Sequence, residues 1–149
     1  MSNPFDDQAD FMIAAEQSTD QYNPDQTMLY LDLVAEEFKE VLTAVSIEGL
    51  VKELADLIVV SIGALHSIGV DPESVWDEVH RSNMSKCTMH PDTGLPMLVK
   101  RADGKVLKPE TYSPANIRPL IEEIDGLPED DTLDMPDTID YMQPDKMVL

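Results

Sequence analysis

Apolar positions in the first half of the chain recur at helical spacing. Leu31, Val34, Phe38, Val41, Leu42 and Val45 follow one another in steps of three, four, three, one and three, which puts them on one face of an α-helix. The start of that helix is written just before it. Asn23 can cap, Pro24 suits the first helical position, and Gln26 can reach back as in a capping box. Ser46 then predicts the cap of a helix running to about Ile68. Its second half, LADLIVVSIGALHSIG, is apolar nearly all round, the pattern of a helix buried on most sides. The run Leu57-Ile58-Val59-Val60 also suits a strand, but length and the flanking pattern favour helix. Gly69 stops it as a left-handed closing residue. Asp71-Pro72 opens a fourth helix through about Ser82, with Val75, Trp76 and Val79 inward. Residues 6–17 read as a short first helix, and Ser18 to Tyr22 as a connection.

Beyond Ser82 the texture changes. His90-Pro91-Asp92-Thr93-Gly94 is a turn-rich loop. The runs MLVKRA and KVLK flank Asp103-Gly104, the signal of a hairpin closed by a two-residue turn. Residues 109–119 read as extended. From Ile121 onward the chain carries ten acids against Lys146 alone, which predicts a flexible or surface-draped tail. The expected architecture is therefore all-α: a helical bundle with a short C-terminal β-hairpin and an acidic tail, residues 1–118 forming the domain and 119–149 the tail. A helix apolar on all sides needs more cover than so few helices provide, so the bundle is expected to be completed by oligomerisation, as a homodimer or homotetramer.

A chain of 149 residues is long enough for one domain with a real core. The longest apolar stretch, Leu54 to Leu65, is interrupted by Asp56 and too short to span a bilayer. The acidic opening residues lack the pattern of a secretory leader. Cys87 is the single cysteine, so an internal disulfide is excluded and a cytoplasmic setting is expected. The net charge of −20 argues against partnership with nucleic acid or an anionic membrane. Its distribution adds more. Residues 81–118 hold seven of the ten basic residues and only three acids, a local balance of +4. Either an anionic ligand or the protein's own acidic helices would account for such an island.

The acids on the second and third predicted helices form a pattern. Glu37 with Glu40, and Glu53 with Asp56, are three residues apart, so each pair shares a helix face. Should the two helices form an antiparallel hairpin, the pairs meet across it. Four converging carboxylates repel, and a divalent cation removes that penalty. Oxygen ligands without His or Cys point to Mg²⁺, with Mn²⁺ as a possible substitute. The plain alternative is a pair of solvated acidic faces. Asp56 argues against it, since it lies inside the apolar run LADLIVV.

These residues also carry a family resemblance. Glu37-Phe38-Lys39-Glu40, then twelve residues, then Glu53-Leu54-Ala55-Asp56 resembles the paired E-x-x-E and E-x-x-D motif of the MazG-like all-α nucleoside triphosphate pyrophosphohydrolases. That group includes dimeric dUTPases and phosphoribosyl-ATP pyrophosphohydrolases. The block from Asp77 to Lys86 and the segment Asp103 to Pro109, with Tyr112, Pro114 and Ile117 beyond it, are similar to later blocks of the same group. The resemblance runs from about Phe11 to Arg118. It implies that Glu37, Glu40, Glu53 and Asp56 hold Mg²⁺ and that Glu36 orients or deprotonates the attacking water. It implies further that Asn83 and Lys86 face the substrate's phosphates or sugar, and that Lys105, Lys108 and Tyr112 belong to a closing segment near the substrate. The basic island would then face a triphosphate. Met12 stands where many relatives have histidine, and Tyr30-Leu31 replaces a common Leu-Arg step; both changes fall where a base or sugar is expected to be read.

The expected reaction is Mg²⁺-dependent cleavage of a nucleoside triphosphate between its α and β phosphates, giving monophosphate and pyrophosphate. Two alternatives stand beside it. One is hydrolysis of phosphoribosyl-ATP by the same fold. The other is a non-catalytic, acidic helical protein that occupies a basic partner surface.

Overall fold

The computed structural model describes residues 3–130 and 132–133 of the chain. They divide into two compact units, one holding residues 3–71 with the described residues from Ile124, the other Pro72–Glu123. Among the described residues the fold is mostly helical, with five helices and one two-stranded antiparallel sheet.

In the first unit α1 spans Pro4–Ala14, α2 Pro24–Thr43 and α3 Ile47–Ile68. Asn3 caps α1 through its side chain, which accepts from the Phe5 N–H, and the helix stops at Ala15, before Glu16 at φ 59°. It therefore begins and ends earlier than the apolar pattern suggests. Asn23 caps α2 as expected, accepting from Gln26 N at 3.1 Å. The return arm of the capping box is absent, however. The Asn23 N–H already donates to Ser67 O at 2.9 Å. The Gln26 amide instead clamps the backbone of Ser18, accepting from its N–H at 2.9 Å and donating to its carbonyl at 2.7 Å. Ser46 caps α3, its Oγ accepting from Gly49 N at 3.0 Å. Gly69 ends α3 at φ 88°, where an added Cβ would stand 2.7–2.9 Å from the Gln21 backbone. Only glycine suits both the left-handed conformation and that approach.

The helices α2 and α3 form an antiparallel hairpin, with α1 packed more lightly on α3. Its core is Met12, Tyr30 and Ala64, with Leu33 and Val60 against it. The Tyr30 ring fits over Gly63, where a Cβ would lie 2.1 Å from the ring. The phenol donates to Gln17 Oε1 at 2.8 Å and accepts from Gln8 Nε2 at 3.4 Å. Burial pushes its ionisation above the usual tyrosine range. Thr27 donates to Ser67 O at 3.1 Å. His66 is buried, donates from Nε2 to Phe5 O at 3.0 Å and ties α3 to α1.

Burial of α3 differs from the sequence expectation. It is covered from Ile62 to Ser67, whereas Val51, Leu54, Ile58 and Val59 are exposed on the single chain. The reason is geometric: α2 covers one side of α3, and α1 reaches only its C-terminal part.

In the second unit α4 spans Pro72–Met84. Val75 is half-buried, but Trp76 and Val79 are exposed, Trp76 at 62%. The inward placement expected for them does not occur within this unit. The ladder of strands β1 (Thr88–Met89) and β2 (Pro96–Met97) closes around the His90–Gly94 loop, with Thr88 opposite Met97. The Asp103-Gly104 turn also folds the chain back. It is a three-residue loop, Ala102 to Gly104, closed by Arg101 N to Lys105 O at 2.8 Å, with Gly104 at φ 84°. One pair, Lys100 with Val106, forms its ladder. A left-handed glycine ending a three-residue loop is the next commonest hairpin after the two-residue form expected. The one-turn helix α5, Arg118–Ile121, takes in the last two residues of the segment expected to be extended. The tail predicted from Ile121 onward lies largely outside the described residues. Its described start is anchored, since Tyr22 N donates to Asp125 O at 3.1 Å.

Gly63→Ala forces a methyl into the Tyr30 ring. It is expected to destabilise the protein by about 1–3 kcal/mol, read as a lower urea midpoint with an unchanged slope.

Candidate active site

The hairpin brings three acids together. Glu37 and Glu40 are one turn apart on α2, and Glu53 reaches them from α3. Ligand oxygens of all three lie within 4.8 Å of one another. One carboxylate oxygen, Glu37 Oε2, is buried with no hydrogen-bond partner among the described residues. Burial raises the Glu37 pKa above the ordinary carboxylate range, and the charges of Asp56 and Glu53 raise it further. A hydrogen bond with Glu53, and then its charge, raise Glu40. An all-oxygen donor set with an orphaned buried acceptor and mutual repulsion fits a hard divalent cation.

Asp56 is not in this triad. Its Oδ2 is 2.6 Å from Lys52 Nζ, which also lies 3.1 Å from Glu53 Oε2. These two acids hold the Lys52 ammonium more firmly protonated than a free lysine. Lys52 is the residue the motif reading passed over, although its i,i+4 spacing to Asp56 was visible. Glu36 is exposed beside Glu37 and adds to its repulsion.

Met12 and Tyr30, at the positions expected to read a base or sugar, are 0% and 3% exposed. Both side chains belong to the core of the first unit, which corrects that expectation: an apolar residue and a phenol with internal partners have been packed inward.

The second unit holds the basic residues. Arg81 pairs with Glu78 at 2.7 Å, and Arg101 with Asp103. Among the described residues, Lys86, Lys105 and Lys108 form no ion pair. The island is thus partly self-neutralised and partly left with free positive charge. Lys86 Nζ donates to Asn83 Oδ1 at 2.8 Å. Lys86 and Lys108 both approach the Tyr112 ring, 5.9 and 4.4 Å from its centroid. Lys105 is exposed on the far limb of the Gly104 turn, its N–H donating to Asp103 Oδ1 at 3.1 Å.

A clasp made by α4 and the turn after it sets the position of Tyr112. Ser85 Oγ accepts from Ser113 N at 2.9 Å, and Thr111 Oγ1 donates to Ser85 O at 3.2 Å. Arg81 donates to Pro114 O at 3.1 Å, and Glu78 accepts from Asn116 N at 2.7 Å. Arg81 and then the Asn116 N–H hold the Glu78 carboxyl down at about 2. No sequence pattern announced this clasp, because most of its bonds go to backbone atoms of an irregular segment, Ser113 N, Pro114 O and Asn116 N.

Residues 10–83 match the phosphoribosyl-ATP pyrophosphohydrolase family. The acidic helical hairpin and this match together show that the chain carries a domain of the MazG-like all-α nucleoside triphosphate pyrophosphohydrolase superfamily. It is thereby an enzyme of the class that hydrolyses phosphoric anhydrides, and the non-catalytic alternative is set aside. Comparison with curated proteins finds no match.

Two outcomes are expected from these geometries. Without divalent cations, Glu53→Gln removes one repelling charge, so melting is expected to rise by a few degrees; Mg²⁺ is expected to raise the melting temperature of the native chain but not of this variant. The clasp depends on pH. Glu78 is held below its ordinary value of 4.5, so the stability it contributes is present above that value and is lost as pH falls toward 2. Faster amide exchange at Asn116 in Glu78→Gln at neutral pH is the check.

Proposed function

We propose that the protein hydrolyses nucleoside triphosphates to monophosphate and pyrophosphate with Mg²⁺, Mn²⁺ serving as a substitute. The observation that carries this is the orphaned Glu37 oxygen inside the Glu37, Glu40 and Glu53 cluster. Those three residues hold the cation, and Asp56 joins them by exchanging its Lys52 partner. When bound, the cation neutralises charge on the phosphate oxygens and aligns the phosphorus.

The remaining steps belong to the chain's own residues. Glu36, exposed beside the cluster, orients a water and takes its proton. The water oxygen bonds to the α-phosphorus as the bond to the α–β bridging oxygen breaks, and pyrophosphate departs with that oxygen. Asn83, Lys86, Lys105, Lys108 and Tyr112 bind the substrate, the lysines meeting its charge. Phosphoribosyl-ATP is a second reading with its own support, since residues 10–83 match the family of that activity; its cleavage uses the same bond change.

Self-association belongs to the same proposal. Val51, Ile58, Leu42 and Ile47 are 62%, 59%, 57% and 77% exposed on the single chain, a concentration of apolar surface that marks a protein interface. A homodimer or homotetramer is expected by light scattering, and Ile58→Glu is expected to dissociate it.

A panel of NTPs, dNTPs and phosphoribosyl-ATP tests the reaction. Monophosphate and pyrophosphate are expected only with Mg²⁺, and Glu53→Gln is expected to lower turnover by roughly two to three orders of magnitude. Full activity in folded Glu53→Gln overturns the metal assignment; cleavage of phosphoribosyl-ATP alone selects the second reading.

A further inference from the structure

The second unit contains a cavity of about 250 Å³ lined by Lys86, Thr88, Val99, Leu107, Lys108 and Pro109. Its volume falls just below that of whole-ligand pockets, roughly 300–1,000 Å³, so it suits one part of a ligand. Its walls do not suit a phosphate chain. Val99, Leu107 and Pro109 are apolar, and the Thr88 hydroxyl is turned to Met97 O at 3.5 Å. Burying a polyanion against such walls forfeits its hydration without return. The two ammonium groups are a different matter. Lys86 and Lys108 share one aromatic ring, Tyr112, and neither has an acidic partner among the described residues. An anion beside them relieves their repulsion.

We infer that this cavity takes the nucleoside end of a nucleotide. The base lies against Val99, Leu107 and Pro109, and Lys86 and Lys108 meet the adjoining phosphate. The inference rests on the nucleotide reading above and names which residues read the base. It also accounts for the burial of Met12 and Tyr30: with those positions packed into a core, the base is recognised elsewhere. The cavity's polar side chains are the two lysines and an already engaged threonine, so recognition is by shape and apolar contact. Discrimination between bases is accordingly weak.

The test uses the full chain without metal, so that binding is read apart from hydrolysis. AMP, UMP and inorganic pyrophosphate are titrated by NMR, with saturation transfer from protein methyl groups to base protons. Leu107, itself 43% exposed, tolerates Asn without loss of fold, and Leu107→Met keeps the wall. Leu107→Asn is expected to weaken AMP and UMP about tenfold and to leave pyrophosphate unchanged. Leu107→Met restores nucleotide binding, and Lys108→Met weakens all three probes. Transfer to the base protons that disappears in Leu107→Asn sustains the inference even should no triphosphate be cleaved. Unchanged AMP and UMP affinity in Leu107→Asn overturns it, even in a protein that hydrolyses triphosphates with an unaltered KM.

Discussion

The ring of Tyr30 lies where Gly63 leaves room for it, and the separation this fixes between α2 and α3 governs the acidic site. Two helical turns onward along α2 stands Glu37, and two turns back along α3 stands Asp56, with Glu53 one turn further. A wider hairpin would separate the carboxylates and relieve their repulsion. The close one holds Glu37, Glu40 and Glu53 together and leaves Glu37 Oε2 buried without a partner among the described residues. Core packing at one end of the hairpin thus sustains an electrostatic cost at the other. The pairs Thr27–Ser67 and Asn23–Ser67 hold the same end by hydrogen bonds, so the spacing does not rest on one contact.

Lys52 moderates that cost. It bridges Glu53 and Asp56 and lowers the strain on Glu37 and Glu40. It also gives Asp56 a second allegiance, so the four acids of the motif are not equivalent. Three form an oxygen cluster, with Glu53 shared between it and Lys52, and the fourth stands outside it on Lys52. In the second unit the logic runs through hydrogen bonds. Glu78 and Arg81 on α4, with Ser85 in the turn after it, fasten residues 111–116, and the fastened segment presents Tyr112 to two lysines. A segment without regular structure gains a defined position because its backbone donors and acceptors are satisfied by side chains of a helix.

Local rules made the helices and their caps legible in the sequence. Asn23-Pro24, Ser46 and Gly69 act within one turn of chain, and their geometry needs no distant partner. The motif spacing made the carboxylates legible for the same reason, since residues three apart share a face wherever the helix lies. What the sequence left open depends on neighbours far along the chain. Gln26 gave up the capping box because Ser18 offered two backbone groups while Ser67 took the Asn23 N–H. Trp76 looked like core by hydrophobicity, but it stays 62% exposed.

By itself, then, the sequence determined two acidic helices, their capped ends and the charges they carry, because these follow from backbone periodicity. Only the tertiary structure decided that Asp56 turns to Lys52, that Met12 and Tyr30 are core, and that Lys86, Lys108 and Tyr112 converge. Each of those outcomes is a choice among competing partners, and such choices are made by distance and burial, which a linear pattern does not contain.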